Sequence, residues 1–148
     1  MVQDLGRTID YLETREDIDI DRLAYMGLSA GAIDGPLFTA VEQRLKASVL
    51  IWGGLPRSKR TPEVDPINFA PRATIPVLMI NGRYDFLIPL ETSQKPLFRL
   101  LGAAEKDKRH AIFDSGHITP MNDVIKETLN WLDRYLGPVQ KQMVSDKK

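Results

Sequence analysis

The stretch Arg22-Leu23-Ala24-Tyr25-Met26-Gly27-Leu28-Ser29-Ala30-Gly31 decides the fold, because it combines a strand, a tight turn and a helix start. Its first part is apolar without helical periodicity and stops at a glycine, which is typical of a strand. Ala32 to Leu45 follows with apolar residues at helical spacing, although Gly35 and Pro36 predict an irregular first turn. A G-x-S-x-G between a strand and a helix lifts its serine above the sheet on a strained turn. Ser29 is therefore the first candidate for a chemical role.

The alternation of strand and helix continues along the chain. Further strands are predicted at Ala47–Trp52, Pro76–Ile80 and Arg109–Phe113, and further helices at Val2–Leu12, at Ser93–Leu101 and from Thr119-Pro120 to Leu136. Strands separated by helices indicate right-handed crossovers and a parallel sheet with helices on both faces. We therefore expect one α/β domain over residues 1–138, with about four parallel strands, and a polar tail over residues 139–148.

The last predicted helix has a long apolar stripe. Thr119 is expected to cap this helix, with Pro120 in its first turn. The stripe consists of Met121, Val124, Ile125, Leu129, Leu132 and Leu136. This spacing predicts that the whole stripe faces the core.

Composition excludes several classes of function. The 148 residues are 43% hydrophobic and 27% charged, which fits one globular domain. Twenty basic residues balance twenty acidic ones, so a nucleic acid or an anionic membrane is not an expected partner. The Pro-rich and basic segment Pro56–Thr74, with Arg57-Ser58-Lys59-Arg60, is read as a solvated surface loop. No stretch approaches the ~20 apolar residues of a membrane span, and a cytoplasmic protein is expected.

The residue types also limit the chemistry. The chain has no cysteine, which excludes a disulfide framework, a thiolate zinc site and a cysteine nucleophile. Its two histidines lack a paired spacing, so no metal and no cofactor are expected. Catalysis would have to use oxygen, nitrogen or carboxylate groups.

Three of the predicted strands end at residue types that hydrolysis needs. Besides Ser29, the third strand is followed by Asp85 and the fourth by His117. A serine hydroxyl becomes a good nucleophile when a base accepts its proton, and a carboxylate holds that base in the correct tautomer. Ligands gather at the carboxyl ends of parallel strands. We therefore predict Ser29 as nucleophile, His117 as general acid and base, Asp85 as its orienting carboxylate and the Ala30 amide as an oxyanion donor.

Other polar residues fit these roles less well. Asp114 lies too near His117 in sequence for the usual acid position, and His110, inside or at the start of a strand, is read as structural. Leu28, Trp52 and Ile118 follow or end strands and are candidates for binding the substrate, with simple core packing as the alternative for Trp52 and Ile118.

From Val2 to Leu136 the sequence resembles the α/β-hydrolase superfamily, and within it the dienelactone hydrolases and prolyl-oligopeptidase-like esterases. Pro76–Pro89 is similar to the family's acid segment, and Phe113–His117 to its histidine segment. The order serine, acid, histidine is that of the superfamily. The resemblance implies a serine esterase that hydrolyses short-chain carboxylic esters through an acyl-enzyme. Because dienelactone hydrolases proper use cysteine at the position of Ser29, lactone specificity is not implied.

The resemblance covers only the last four strands of a fold that usually has eight. The upstream half of the family carries a His-Gly-rich loop with the second oxyanion donor, and loss of one such donor costs roughly 2.7–4 kcal/mol of transition-state stabilisation in the subtilisin example. Without that half, the apolar edge Leu23–Met26 is predicted to be exposed in a single chain. Because proteins rarely leave such an edge exposed, we expect a homo-oligomer that covers it. The alternative function is therefore that of a catalytically inactive, truncated hydrolase serving as an assembly module.

Overall fold

Four short apolar segments form the sheet in the computed structural model, which describes residues 2–139. The strands are β1 (Ala24–Leu28), β2 (Ala47–Ile51), β3 (Val77–Gly82) and β4 (Lys108–Phe113). The helices are α1 (Val2–Glu13), α2 (Ala30–Val41), α3 (Lys95–Leu100) and α4 (Met121–Leu136). The strands are parallel in the order β1-β2-β3-β4, as the sequence predicts.

The strand register brings all four carboxyl ends to one edge of the sheet. Leu28 pairs with Ile51, Ile51 with Ile80, and Ile80 with Ala111, so these four residues lie side by side. The two inner strands are buried along their whole length, whereas β1 and β4 are edge strands. The loops that follow the strands therefore meet above the same edge.

Helices cover the two faces of the sheet with separate apolar cores. On one face, Leu50 and Met79 pack in a cluster with Leu97 of α3 and with Leu101, which directly follows α3. On the other face, Ile51 and Ile80 pack in a cluster with Trp131 of α4. Helices on both faces confirm the fold class expected from the alternation of strands and helices.

The start of the sheet differs from its prediction. The first strand begins at Ala24 and not at Arg22, because Arg22 ends a 3-10 turn and its guanidinium donates to the carbonyl oxygens of Leu136 and Gly137. It extends one residue further than predicted, to Leu28.

The prediction of an irregular first turn in the second helix was wrong. The helix α2 runs from Ala30 to Val41 with Pro36 inside it. A side chain at Gly35 would overlap that of Leu50, so glycine allows α2 to lie close against β2. The predicted end at Leu45 was also too late.

The third and fourth helices also differ from the prediction at their starts. A π turn, Leu90–Gln94, precedes α3 where the sequence predicts an α-helix from Ser93. Pro120 and not Thr119 is the N-terminal flanking residue of α4, without a side-chain cap. The Thr119 hydroxyl instead accepts a hydrogen bond from the indole of Trp52 at 2.9 Å.

The apolar stripe of α4 is only half buried, which corrects the prediction for this helix. Val124 and Trp131 lie in the core, but Met121, Ile125 and Leu129 are between 50% and 55% exposed. The reason is that α4 lies over β2 and β3, and the adjoining side of its stripe projects over the edge strand β1.

The remaining segments are short turns and termini. The predicted loop Pro56–Thr74 contains two 3-10 turns, Pro66–Asn68 and Ala70–Arg72, and buries Ala70 and Ala73 in the core. Of the predicted polar tail, all residues except Val139 lie outside the described part of the chain. Within the described part, none of the helices has the length and apolar character needed to cross a membrane.

Candidate active site

The turn between β1 and α2 holds Ser29 in a backbone conformation that side chains rarely adopt. Its φ is 47° and its ψ is −105°, and its amide donates to the carbonyl of Ile51 at 2.8 Å. A side chain at Gly27 would lie 2.5 Å from the backbone of Gly31, so only glycine allows the helix to start this close to the strand. Ser29 precedes α2, but its hydroxyl makes no capping bond to the helix and is available to another partner.

Tyr25 ties the start of α2 to β1. Its hydroxyl donates to the carbonyl of Gly31 at 2.8 Å. Burial, with a smaller contribution from the charge of Asp34, raises the pKa of Tyr25 to about 12. The phenol therefore remains a donor across the physiological pH range, and it holds the turn that carries Ser29.

Asp85 lies in the loop after β3, where its side chain is completely buried. Its Oδ1 accepts hydrogen bonds from the amides of Leu87 at 2.9 Å and Ile88 at 3.0 Å. Its Oδ2 lies 2.7 Å from Nδ1 of His117. Both carboxylate oxygens thus have partners. The backbone amides fix Oδ1, and Oδ2 faces the histidine.

His117 lies in the loop after β4, between Asp85 and Ser29. Its Nε2 is 3.2 Å from the Oγ of Ser29. A side chain at Gly82 would overlap the carbonyl oxygen of Gly116, so this glycine lets the histidine loop cross directly over the end of β3. The ring of Trp52 lies 5.8 Å from the imidazole, on the side of α4.

These three side chains come from turns after β1, β3 and β4 and form a continuous chain of hydrogen bonds. The Ser29 hydroxyl can donate to His117 Nε2, and His117 Nδ1–H can donate to Asp85 Oδ2. A nucleophile beside a base, with the base oriented by a carboxylate, is an arrangement that can perform acyl transfer.

The other predicted site residues lie around this chain. Ala30 is exposed and is the first residue of α2, where the amide has no acceptor within the helix. Leu28 and Trp52 line an apolar groove of about 230 Å³ together with Met121 and Ile125 of α4. We call it the α4 groove. Ile118 is exposed and is not part of its lining.

Asp114 and His110, which fit the roles of acid and base less well in the sequence, contact other residues in the structure. Asp114 is exposed and pairs with Arg83 at 2.7 Å, away from the His117 imidazole, whose Nδ1 faces Asp85. His110 is partly buried, with Nε2 3.1 Å from Oδ1 of Asn81 and its ring against Phe98. Burial, with a smaller contribution from the charge of Lys95, lowers the pKa of His110 to about 4.

The basic cluster in the loop after β2 makes local contacts. Arg57 donates to the carbonyl of Phe86 at 3.1 Å, and Arg60 pairs with Asp34. Arg57, Ser58 and Lys59 are exposed, as expected for a surface loop. Among the described residues, no three His, Asp or Glu side chains come together as a metal site.

Sequence reasoning missed two polar residues behind the site. Thr119, predicted as a helix cap, instead binds the Trp52 indole. Gln94 is fully buried and contacts both ends of the loop that carries Asp85. The only signal for Gln94 is its spacing from Leu97 and Leu101, at a position where an apolar residue would be expected.

Solved structures with the same architecture include esterases, a putative dienelactone hydrolase and an acylaminoacyl peptidase. The chain superposes on a cold-adapted esterase from an Arctic intertidal metagenomic library with a TM-score of 0.77 and 26% identity, over 91% of this chain and 58% of that one. For a putative dienelactone hydrolase from Klebsiella pneumoniae the TM-score is 0.74 and the identity 23%, over 90% and 60% of the two chains. For the Pyrococcus horikoshii acylaminoacyl peptidase the values are 0.76 and 16%, over 95% and 28%.

The chain spans less than two thirds of the length of these proteins. No family model and no curated protein matches the sequence. The structural likeness alone therefore carries the assignment, and the chain has the α/β-hydrolase fold in partial form.

Proposed function

We propose that the protein is a serine esterase that hydrolyses short-chain carboxylic esters through an acyl-enzyme. The observation that carries this proposal is the hydrogen-bonded chain Ser29–His117–Asp85, with distances of 3.2 Å and 2.7 Å. The esterases among the structural neighbours support the same class of reaction.

The first half of the reaction acylates the serine. Ser29 Oγ attacks the carbonyl carbon of the ester while His117 Nε2 takes the hydroxyl proton, and the positive imidazolium is stabilised by Asp85. The charge that develops on the carbonyl oxygen is met by the Ala30 amide at the start of α2. The bond to the alcohol oxygen then breaks, and His117 returns the proton to the leaving alcohol.

The second half of the reaction releases the acid. His117 Nε2 takes a proton from water, the water oxygen attacks the acyl carbon, and the bond to Ser29 Oγ breaks as the serine regains its proton. We propose that a short acyl group lies against Leu28 and Trp52, at the end of the α4 groove nearest to the triad.

Hydrolysis of a short-chain aryl ester by wild type and by Ser29→Ala tests this proposal. We expect activity above the buffer blank in the wild type and a loss of at least about 10³-fold in the variant, because the nucleophile is removed. Thr8→Ala, which changes an exposed hydroxyl bonded only within α1, is the matched control and should keep wild-type activity. Equal rates for wild type, variant and buffer at high protein concentration would contradict the proposal.

A second candidate function is assembly without catalysis. The observation that favours it is the apolar surface that residues 2–139 leave exposed along β1 and the α4 groove, which includes Met26 and Leu129. A fluorophosphonate probe separates the two functions, because it reacts with an activated serine whatever the natural substrate is. Labelling that disappears in Ser29→Ala supports the esterase. Absence of labelling in wild type, with a concentration-dependent mass, supports the assembly module.

A further inference from the structure

Gln94 is a fully buried amide that contacts both ends of the loop carrying Asp85. Its Nε2 donates to the carbonyl of Gly82 at 3.0 Å and to the carbonyl of Ile88 at 2.7 Å. Gly82 is the last residue of β3, and Ile88 lies three residues beyond Asp85. One side chain therefore closes the base of residues 82–88, which we call the acid loop.

The contacts of Gln94 continue into the triad through a short chain of hydrogen bonds. Ile88 accepts from Gln94 through its carbonyl and donates through its amide to Asp85 Oδ1 at 3.0 Å. The other oxygen of Asp85 lies 2.7 Å from His117 Nδ1. The backbone position of Ile88 thus affects the direction of the carboxylate.

Packing alone does not account for a glutamine at this position. Gln94 has the same helical spacing as the buried Leu97 and Leu101, and a leucine there would extend the apolar core. Burial of an amide is unfavourable unless it is hydrogen bonded. Both acceptors of Gln94 are carbonyls of the acid loop, whereas its Oε1 has no partner among the described residues.

The backbone around Gln94 is also unusual. Residues Leu90–Gln94 form a π turn that is separated from the acid loop only by Pro89, and the amide of Gln94 donates to the carbonyl of Pro89 at 3.2 Å. A π turn inserts an extra residue into a helix and is frequent at functional sites. The turn presents Gln94 to the acid loop ahead of the regular helix α3.

We propose that Gln94 is a positioning residue that holds the acid loop closed and so keeps the Asp85 carboxylate aligned with His117. This inference rests on the proposed function of the triad. Gln94 touches neither Ser29 nor His117 in the hydrogen bonds of the site, and it acts through Ile88 and Asp85.

The test reads the His117 tautomer directly. The chain has two histidines, so ¹⁵N labelling of histidine gives two sets of ring signals, and His117→Gln identifies the set from the triad. In the wild type we expect the proton on Nδ1, held by Asp85. Asp85→Asn should lose this tautomer, and Gln94→Met should give a mixture of tautomers together with at least tenfold slower fluorophosphonate labelling.

Leu97→Ala is the matched control, since it destabilises the adjoining helix α3 and its apolar cluster contains no residue of the acid loop. It should keep the wild-type tautomer and labelling rate although it unfolds at lower urea concentration. Gln94→Leu, which also cannot donate and suits the apolar neighbours of this position, replaces Gln94→Met if the latter does not fold.

The outcomes separate this inference from the proposed function. A wild-type tautomer and labelling rate in the Gln94 variant that folds, with changes in Asp85→Asn, would overturn the role of Gln94 alone. If the wild type has the Nδ1–H tautomer but is not labelled, the proposed esterase function is overturned. The Gln94 inference is then still supported when the Gln94 variant shifts the tautomer. A wild-type His117 without that tautomer would overturn both.

Discussion

At the scale of single residues, Ser29 and Trp52 share a positive φ, which side chains rarely adopt. Each directly follows a strand and has a positive φ, 47° for Ser29 and 60° for Trp52. Each amide donates to a carbonyl of the next strand, Ile51 at 2.8 Å and Ile80 at 2.7 Å. Such conformations cost about 1–3 kcal/mol each. The strand pairing maintains this strain while the two side chains turn towards His117 and Thr119.

Gly82 gives the first prediction at this scale. The Cβ in Gly82→Ala would overlap Gly116 and lie 2.6 Å from the carbonyl oxygen of Ser115, so the loop that carries His117 must move. A displacement of about 1 Å can cost about 10²-fold in rate, and we expect a loss of that size in kcat/KM for ester hydrolysis. The extra methyl group should also lower the free energy of unfolding by about 1–3 kcal/mol.

Gly116→Ala is the control for this prediction, because its Cβ would meet no atom within 4 Å. It adds the same methyl group on the other side of this close approach, in the loop of His117 itself, and should keep wild-type activity. Equal losses in the two variants would mean that the close approach at Gly82 does not set the position of His117.

The sequence predicted that Ser29, Asp85 and His117 lie together, but it did not predict the polar residues behind them. Ser29, Asp85 and His117 each directly follow or lie close behind an apolar strand, and parallel strands bring such positions to one edge. Gln94 and Thr119 have no such local signal, because their partners lie on other segments of the chain. Only the folded chain shows that one holds the acid loop and the other the Trp52 indole.

At the scale of elements, the apolar pattern of α4 predicted its helix but not the extent of its burial. Periodicity defines which side of a helix can be buried, and the neighbouring elements decide how much of it is buried. Val124 and Trp131 meet the sheet, whereas Ile125 and Leu129 project beyond β2, over the edge strand. The local sequence of α2 likewise does not explain why residue 35 is a glycine. The reason is its close contact with Leu50 in the folded chain.

A chain of polar side chains links three neighbouring strands. His110 of β4 lies 3.1 Å from Asn81 of β3, whose amide donates to the carbonyl of Gly53, just after β2, at 2.9 Å. Asn81 uses its amide hydrogens on Gly53, so its oxygen accepts and His110 Nε2 donates. This requires a proton on Nε2 of the neutral ring.

The low pKa of His110 predicts acid sensitivity of the fold. The ordinary histidine pKa is 6.5 and that of His110 is lowered to about 4, so the unfolded chain takes up this proton at a higher pH. The contribution to stability is complete above about pH 6.5 and is lost as the pH falls to about 4. With about 1.4 kcal/mol for each pKa unit, it amounts to at most about 3 kcal/mol.

Urea unfolding of wild type and His110→Gln between about pH 7 and about pH 4 tests this prediction. The variant can still donate to Asn81 but does not titrate, so its free energy of unfolding should fall less steeply with decreasing pH. Parallel pH profiles for the two proteins would show that His110 is not held neutral by the fold.

At the scale of the whole molecule, the candidate site lies at the end of a sheet whose edge strand β1 borders an exposed apolar surface. The edge strand β1 pairs with β2 on one side only among the described residues, and Met26 and Leu28 are about half exposed beside the α4 groove. Proteins rarely leave an apolar edge strand and an adjoining apolar surface uncovered. We propose that a second copy of the chain covers this surface, and the zero net charge means that two copies do not repel each other as a whole.

Sedimentation over a range of concentrations tests the second copy. We expect the average mass to rise with concentration in the wild type and to stay at that of one chain in Ile125→Lys and in Leu129→Lys, since a buried lysine without a partner strongly disfavours the interface. Tyr11→Lys changes a similarly exposed residue on α1 and should associate like the wild type. A wild type that remains one chain at all concentrations would contradict the assembly. If the two groove variants then raise the KM for longer acyl esters, the α4 groove holds substrate and not a second chain.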